Sequence, residues 1–438
     1  MDSKLGIKKW IAFLVAGFVG QLAWAIENNY LNLYAFYCTR DYIYIPLMTA
    51  FSALTATVVT LLMGTLSDRL GKRKIFISLG YIIWGISIIL FAFLDPKNNI
   101  TIVNNSVVLA GCLIVIQDCI MTFFGSTAND AAFNASVTEN TNPLNRGKVE
   151  SVLSILPLLA MIAVVVVGGI FVDGDEKHWD IFFYLFGGIT ILAGIACLFI
   201  YPKDIANPTR NEAYFSNIFH GFKPRVIKEN KLLYLSLSVF LLFSIGIQVF
   251  MPYLMVYIQE GLEIRGGDFT IAIAVVLVVS SILVVVVGLF MDKIGKNKII
   301  FPALAMAVIG GIIMTFVKKG DGVMIGTMIG CTILMTGYLI CTAVFGAKVR
   351  DYTPVEKAGL FQGIRMIFVV LIPMVTGPYI GRAASYINAE TYTNEYDQVV
   401  TKPNSFIFLF AAIVIALAII PLIILIKKEK AHEQATTE

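Results

Sequence analysis

The sequence predicts an all-α integral membrane protein with about twelve transmembrane helices in two pseudo-symmetric six-helix halves. Of its 438 residues, 58% are apolar and 14% are charged, and the mean hydropathy is +0.81. A soluble globular domain cannot bury this much apolar surface. Apolar segments long enough to cross a hydrocarbon core of about 30 Å recur along the whole chain. A basic loop in the first half also returns, weakened, in the second half.

Each apolar segment is expected to be a helix, because a helix satisfies its own backbone hydrogen bonds in lipid. An even number of such helices would place both chain termini on the same side of the membrane. The hydropathy pattern predicts spans at 10–37, 44–64, 75–94, 107–135, 151–172, 181–201, 233–259, 269–290, 299–317, 323–349, 359–381 and 405–427.

The positive charges indicate on which side each connection lies. Lysine and arginine concentrate at the N-terminus, in the loop 69–74, in the segment 202–232 and near the C-terminus, which are alternate connections. By the positive-inside rule we expect both termini to be cytoplasmic in a multi-pass protein of the cell membrane. The formal net charge of +4 then reflects topology, and no nucleic-acid partner is expected.

The first span is unusually polar for a membrane helix. At 100° per residue, Gln21, Asn28 and Asn32 share a face, with Trp24 and Glu27 on its flank. Amides and a carboxylate beside an indole suit a neutral polyhydroxylated ligand, because hydroxyls need donors and acceptors and a sugar ring can rest on the indole. The alternative is a helix whose amides are bonded to neighbouring helices.

The loop after the second span reads Gly-Thr-Leu-Ser-Asp-Arg-Leu-Gly-Lys-Arg-Lys over residues 64–74, and a weaker copy occupies 288–298. Its first glycine allows two helices to approach closely, and its cations can pair with cytoplasmic acids. The alternative, stronger for the copy, is a basic turn that only sets topology. The candidate residues of the two copies are Gly64, Asp68, Arg69, Gly71, Lys72, Arg73, Asp292 and Gly295.

The fourth span carries a carboxylate at depth. Asp118 stands about 11 residues into this span, which at about 1.5 Å per residue is near the bilayer midplane. A charge there costs on the order of 3 kcal/mol or more, so a functional role is favoured. Thr122 and Asn129 follow on the same helical face. Asp130 points about 100° away, and it either lines the pathway or is satisfied by water or a loop cation.

The longest predicted cytoplasmic connection, 202–232, contains three prolines around an amphipathic patch near the middle of the chain. It is expected to link an N-terminal six-helix half, 1–201, to a C-terminal half, 233–427, with part of it lying along the membrane surface. Residues 428–438 are expected to form a cytoplasmic tail. The repeated loop supports an internal duplication.

Arg365 is the one cation well inside a predicted span, the eleventh, and Gln362 lies about one turn before it. The guanidinium either extends back to water or serves as counter-ion for a membrane carboxylate or as a substrate contact. The three histidines fall outside the predicted spans. Any coupling of transport to a cation would therefore use carboxylates.

The loop at 64–74 resembles the Gly-x-x-x-Asp-Arg-x-Gly-Arg/Lys-Arg/Lys hallmark of the major facilitator superfamily of secondary transporters, which has a degenerate copy between spans eight and nine. The resemblance implies alternating access, in which this loop holds and releases the two halves. It therefore implies that the candidate residues of the two copies are gating residues on the cytoplasmic side. The polar first span and Asp118 are similar to those of glycoside-pentoside-hexuronide and sucrose-type cation symporters. Sucrose-type members carry a fourth-span arginine, which this chain lacks between 107 and 135.

We therefore predict secondary active, cation-coupled symport of a sugar or glycoside, with H⁺ or Na⁺ as the cation. Asp118 and Glu27 are the predicted coupling residues. Two alternatives stay open, namely a proton-coupled exporter of amphipathic or drug-like compounds and a transporter-like sensor that does not translocate. The predicted substrate contacts are Gln21, Trp24, Asn28, Asn32, Thr122, Asn129, Gln362 and Arg365.

An enzyme is not expected, because the sequence has no metal-ligand spacing, no nucleophile–base set and no phosphate loop. No metal or cofactor is predicted. The expected partners are a small-molecule solute, a coupling cation and the lipid bilayer, and the expected functional unit is a monomer.

Overall fold

The computed structural model describes most of the chain. It covers residues 5–97, 106–141, 149, 152–153, 155–173, 177–204, 223–353, 361, 364–388, 391–393 and 399–437. Within these ranges the description leaves out the side chains of residues 65, 68, 289–293, 392–393, 399–400, 432–433 and 435–437.

Long apolar helices dominate the described residues. Eleven are long and apolar enough to cross a membrane, and a twelfth, α5, is apolar but has 16 residues. The predicted all-α membrane fold is confirmed. The helices are α1 Ile7–Thr39, α2 Tyr44–Leu70, α3 Arg73–Phe93, α4 Val107–Asn140, α5 Leu156–Phe171, α6 Trp179–Ile200, α7 Lys231–Gly261, α8 Gly266–Ile294, α9 Lys296–Phe316, α10 Val323–Asp351, α11 Ile364–Ser385 and α12 Phe406–Ala431.

Three details differ from the sequence-based boundaries. α5 begins at Leu156, with Pro157 in its first turn, where the missing N–H of proline costs nothing. α12 runs past the predicted end at residue 427, because lysines can extend into water while the backbone remains helical. A two-stranded sheet, Thr391–Thr393 with Val399–Thr401, precedes α12.

The chain divides into two compact units. Unit 1 comprises 1–211, 265–270 and 393–400, and it contains α1 to α6. Unit 2 comprises 212–264, 271–392 and 401–438, and it contains α7, most of α8, and α9 to α12. A short helix, Pro224–Glu229, precedes α7.

In unit 1, α3 packs along α6, α1 packs against α5 and α6, and α2 packs against α4. The crossing of α3 and α6 is so close that a Cβ on Gly85 would lie 2.6 Å from the carbonyl oxygen of Gly187. A Cβ on Gly187 would lie 2.7 Å from the carbonyl oxygen of Gly85. Only glycine permits this contact between two helix backbones.

In unit 2, α9 packs along α10, and α7 packs against α11 and α12. Aromatic side chains fill the space around α7, where the rings of Phe243 and Phe345 have centroids 5.3 Å apart and those of Phe250 and Phe408 have centroids 5.5 Å apart. The hydroxyl of Tyr253 donates to the carbonyl oxygen of Pro378 at 2.7 Å, which joins α7 to α11.

Four of the helices in the described residues contain π-helical turns, which are wider than α-helical turns because their hydrogen bonds span five residues. Side chains after such a turn point in directions that a continuous α-helix would not give them. The turns are Ile26–Tyr30 in α1, Ser126–Phe133 in α4, Tyr257–Gly261 in α7 and Ile367–Leu371 in α11.

Candidate functional site

Glu27 lies at the centre of a buried polar cluster that joins three helices of unit 1. Its Oε1 atom accepts hydrogen bonds from Ser52 Oγ of α2 at 2.7 Å and from Thr122 Oγ1 of α4 at 2.8 Å. The two hydroxyl oxygens are themselves 2.9 Å apart. All three residues are buried. The predicted coupling residue of α1 and the predicted polar face of α4 therefore meet directly.

Asp118 is also buried in unit 1, with 1% of its surface exposed. It is close enough to Glu27 for the two carboxyl groups to interact electrostatically. Among the described residues, neither Glu27 Oε2 nor Asp118 Oδ1 has a hydrogen-bond partner. Buried oxygens without partners are costly, so this pair is suited to take up a proton or a cation.

The polar side chains in and around the π-turn of α1 differ in their exposure and partners. Glu27 belongs to this turn and is buried, whereas the next residue, Asn28, is exposed. Asn28 Nδ2 donates to the carbonyl oxygen of Trp24 at 2.9 Å, and Asn32 Nδ2 donates to that of Asn28 at 3.0 Å. Asn32 is buried and Gln21 is half-buried, so the three amides that were predicted to share a face differ in exposure.

Asn129 forms a second polar contact between helices. Its Nδ2 donates to Tyr81 Oη at 2.8 Å, and its Oδ1 accepts from Trp24 Nε1 at 3.3 Å. Tyr81 Oη in turn donates to the carbonyl oxygen of Ala16 at 2.6 Å. Both ends of the Asn129 amide are thus bonded within the protein, and its substrate contact stays a prediction. Trp24 is half-buried and packs on Trp84.

Asp130 is half-buried and lies within the π-turn Ser126–Phe133 of α4. Its Oδ2 accepts a hydrogen bond from Ser126 Oγ at 3.1 Å. Asp130 is also close enough to Glu27 for an electrostatic interaction. Asp130 is therefore near Glu27 rather than isolated at the helix end.

An apolar groove of about 720 Å³ runs between α2 and α4. Phe51, Phe123 and Phe124 contribute to its walls, together with Thr55 and Cys119. Cys119 is the neighbour of Asp118 in the chain, so the groove and the buried acid lie on adjacent faces of α4.

The basic loop is tied to the end of α4 through Arg73. Its Nη2 and Nε atoms donate to Glu139 Oε1 at 2.8 and 3.1 Å, and its Nη1 donates to Ser67 Oγ. Ser67 Oγ donates to the carbonyl oxygen of Gly64 at 2.9 Å. Gly71 ends α2 in the left-handed conformation, with a φ of 61°.

The structure describes the other predicted gating residues in part. Arg69 and Lys72 are exposed. Gly295 precedes α9 with a φ of 93°. The side chains of Asp68 and Asp292 lie outside the description.

A buried ionic cluster in unit 2 was not predicted. Lys348 Nζ lies 2.6 Å from Glu429 Oε1, and both side chains are about 5% exposed or less. Tyr352 Oη donates to the same oxygen at 2.6 Å, and Asn297 Nδ2 donates to Glu429 Oε2 at 2.9 Å. The sequence placed Glu429 in a tail among exposed lysines. The one sequence signal for a buried role is that Glu429 follows the predicted apolar span by only two residues.

Arg365 is half-buried in α11 of unit 2. It interacts electrostatically with Arg350, which carries the same charge. Its proposed roles as counter-ion or substrate contact stay predictions, and Gln362 lies outside the described residues. Within the described part of the chain, no group of three or more His, Cys, Asp or Glu side chains is arranged to hold a metal ion.

Comparison with known proteins identifies the family. A mutant of the nucleoside transporter NupG has a TM-score of 0.71 at 11% identity, with 95% of this chain and 99% of that chain covered. The xylose transporter XylE from E. coli has a TM-score of 0.65 at 14% identity, covering 94% and 96%. A D-xylose-proton symporter has a TM-score of 0.64 at 16% identity, covering 94% and 97%.

At these low identities, the TM-scores establish a shared fold. No curated protein sequence matches the chain. The sequence model of the Major Facilitator Superfamily matches residues 10–378. The chain therefore belongs to the Major Facilitator Superfamily and is a transporter of that family.

Proposed function

We propose that the protein carries a sugar or glycoside across the membrane by alternating access, together with H⁺ or Na⁺. The observation that carries this proposal is the buried pair Glu27 and Asp118, each with one oxygen that lacks a hydrogen-bond partner among the described residues. Two neighbouring acids that are buried without a cation are costly to leave charged. A transported cation would complete the site.

Coupling requires that the cation and the solute act on the same moving elements. Glu27 lies three residues after Trp24 in α1, and its bond to Thr122 joins it to α4, which also carries Asn129. A change of occupancy at the acid pair would therefore act on both helices that carry predicted substrate contacts.

The accessible surfaces of the predicted substrate residues favour a hydroxylated solute. Asn28 is exposed, and Gln21 and Trp24 are half-buried, so amide and indole groups are available. Amides match sugar hydroxyls, and an indole matches the apolar face of a sugar ring. The similar structures are named for the transport of xylose and nucleosides, which is consistent with such a solute.

The basic loop would act as a cytoplasmic latch in this cycle. Arg73 connects the α2–α3 turn to Glu139 at the end of α4. Since Asp118 and Thr122 lie on the same helix, release of the latch and rearrangement of the acid pair would be linked through α4.

The test is uptake of labelled D-xylose, a labelled β-glucoside and labelled uridine into proteoliposomes with an imposed proton or sodium gradient. We expect accumulation of one of these solutes to require one of the gradients. Glu27→Gln and Asp118→Asn should abolish gradient-driven accumulation while leaving solute exchange at equal concentrations. Glu229→Gln, which neutralises an exposed carboxylate, is the matched control.

Two results would contradict the proposal. Accumulation that is independent of both gradients would rule out coupling to a cation. Unchanged coupling in both Glu27→Gln and Asp118→Asn would rule out these two residues as the coupling groups. Binding of a labelled solute without its appearance inside sealed vesicles would instead indicate a sensor.

A second candidate, proton-coupled export of amphipathic compounds, is favoured by the apolar groove between α2 and α4. Its volume of about 720 Å³ is typical of small-molecule sites, which span roughly 300–1,000 Å³. Proton-driven movement of ethidium that is lost in Phe51→Ala and Phe123→Ala would support export. If ethidium is not transported while a sugar accumulates, export of amphipathic compounds is excluded.

A further inference from the structure

The indole of Trp24 is held by a chain of hydrogen bonds that starts and ends on α1. Trp24 Nε1 donates to Asn129 Oδ1 at 3.3 Å, and Asn129 Nδ2 donates to Tyr81 Oη at 2.8 Å. Tyr81 Oη then donates to the carbonyl oxygen of Ala16 at 2.6 Å. Ala16 and Trp24 both belong to the α-helical part of α1, Ile7–Ala25. The chain therefore passes through α4 and α3 and returns to α1 about two turns from its start.

The donors in this chain fix the orientation of the Asn129 amide. A tyrosine hydroxyl carries one proton, and Tyr81 gives it to the backbone of α1, so its oxygen accepts from Asn129. The NH₂ end of the amide must then face Tyr81, which leaves the amide oxygen for Trp24 Nε1. A reversed amide would place an acceptor against an acceptor and a donor against a donor.

Two further contacts limit the position of the indole ring. Trp84 of α3, which is 0% exposed, packs on it with ring centroids 5.1 Å apart and planes inclined at 60°. Gly125 of α4 lies against both rings, since a Cβ there would be 2.6 Å from Trp84 Cζ2 and 3.1 Å from Trp24 Cη2. The missing side chain lets both indoles lie against α4.

The part of the Trp24 ring that a solute can reach offers no hydrogen bond. Trp24 is half-buried, and the single polar atom of its indole is already bonded to Asn129. A solute that contacts this ring meets a π surface, so it must present C–H groups to it. A cyclic sugar has such a face on its ring, whereas an open-chain polyol has no fixed one.

We propose that Asn129 is a positioning residue for the Trp24 indole, and that this indole selects cyclic sugars over open-chain polyols. Asn129 then acts on the solute through Trp24, in place of the direct contact that the sequence predicted. The inference rests on the proposed function and deepens it, because it names the class of solute: a pyranose or its glycoside with C–H groups on one ring face.

The test compares two sugars with their open-chain counterparts. Binding of tritiated D-xylose, xylitol, methyl β-D-glucoside and sorbitol is measured on full-length protein reconstituted in phospholipid vesicles. We expect each sugar to bind about tenfold more tightly than its polyol, the ratio that one well-placed ring contact can supply. In Asn129→Leu this preference should fall to about threefold or less, through weaker binding of the sugars with the Kd of the polyols unchanged.

A double-mutant cycle separates positioning from a general loss of structure. Trp24→Phe keeps an aromatic face but removes the indole nitrogen that Asn129 holds. Asn129→Leu in the Trp24→Phe background should therefore cause no further loss of the sugar preference, whereas two independent effects would add.

Gln117→Met is the matched control, because Gln117 is a second buried amide of α4 that bonds to α3. Its Nε2 donates to the carbonyl oxygen of Ser87 at 2.7 Å. This variant should keep the full sugar preference. Tyr81→Phe supplies a second route if Asn129→Leu does not fold. It removes the oxygen that orients the Asn129 amide, and it should lower the sugar preference in the same way.

Three results would overturn the inference. An undiminished sugar preference in both Asn129→Leu and Tyr81→Phe would remove the positioning role while leaving the proposed function intact. Equal binding of sugars and polyols by the unmodified protein would remove the selection by the ring. If none of the four compounds binds and no sugar accumulates in the gradient assay, the proposed function fails, and with it this inference.

Discussion

Asn129 is the residue at which three helices of unit 1 meet, since α4 contacts α3 through Tyr81 and α1 through Trp24. The contact depends on Gly20 of α1. A Cβ at this position would collide with Asn129 Nδ2 and would lie 2.5 Å from Tyr81 Oη. The absence of a side chain at Gly20 is what allows the amide to reach both partners.

Gly20→Ala is therefore expected to break the Asn129–Tyr81 hydrogen bond and to destabilise the protein by about 1–3 kcal/mol, as overpacked positions do. The midpoint of thermal unfolding in detergent should fall accordingly. Trp24 fluorescence should also change, because its indole loses an ordered acceptor.

The control for this prediction is Gly188→Ala in α6, where a Cβ would meet nothing within 4 Å. It should leave the unfolding midpoint unchanged or raise it slightly, because alanine favours a helix by about 1 kcal/mol over glycine. Equal losses of stability in both variants would show that the Asn129 contact is not responsible.

Sequence reasoning found Glu27 and Asp118 because a carboxylate in an apolar span is conspicuous. It did not find Ser52, Ser126 or Tyr81, because serine and tyrosine are common in membrane helices and neither carries a charge. The hydrogen-bond partners of Ser52 and Tyr81 lie 25 or more residues away in the sequence. Only the tertiary structure brings these residues together.

Among the elements, α1 illustrates what a helical wheel leaves out. Polarity predicted correctly that this helix is a membrane span with a buried acid. The wheel assumed 100° per residue throughout, whereas the π-turn Ile26–Tyr30 changes the rotation where the polar residues lie. Within this turn Glu27 is buried and Asn28 is exposed, and periodicity alone does not tell which of the two contacts the neighbouring helices.

Residues 428–438 were predicted to form a cytoplasmic tail, and within this segment Glu429 holds Lys348, Tyr352 and Asn297 in a buried cluster. The sequence did not predict the cluster, because charge alone does not reveal that α9 and α10 present donors to this helix. Glu429 is thus a structural part of unit 2.

Glu429→Gln should lower the free energy of unfolding by about 3–5 kcal/mol, because it leaves the Lys348 ammonium buried without a counter-charge. The measurement is the midpoint of unfolding in a titration with sodium dodecyl sulfate.

Lys430→Gln is the matched control, since Lys430 is exposed on the next position of α12. Its effect should be within about 0.5 kcal/mol, which is typical of surface substitutions. If Glu429→Gln and Lys430→Gln have the same unfolding midpoint, the cluster does not contribute to stability.

For the whole molecule, composition and hydropathy were sufficient to predict the fold, since each span is an almost independent signal in lipid. The repeated basic loop indicated the family. The identity of the solute could not be predicted from the sequence, because its contacts depend on which faces of several helices become accessible.

Membrane topology is predicted by the positive charges and can be tested directly. In a background with the six native cysteines replaced by alanine, Lys72→Cys should react with a membrane-impermeant maleimide only after the cells are permeabilised. Lys97→Cys, on the connection between α3 and α4, should react in intact cells. The reverse pattern would invert the assignment of both termini.

The glycine contact between α3 and α6 determines which parts of unit 1 can rearrange. Where two backbones touch, as at Gly85 and Gly187, no side-chain layer can repack to permit sliding. We expect α3 and α6 to act as a fixed frame. α1 and α4 meet through side-chain hydrogen bonds and contain π-turns at the acid cluster, so each can rotate locally without separating from that frame. The acids that we propose to bind the cation would then lie on the helices that rotate, and the glycines would keep those helices aligned.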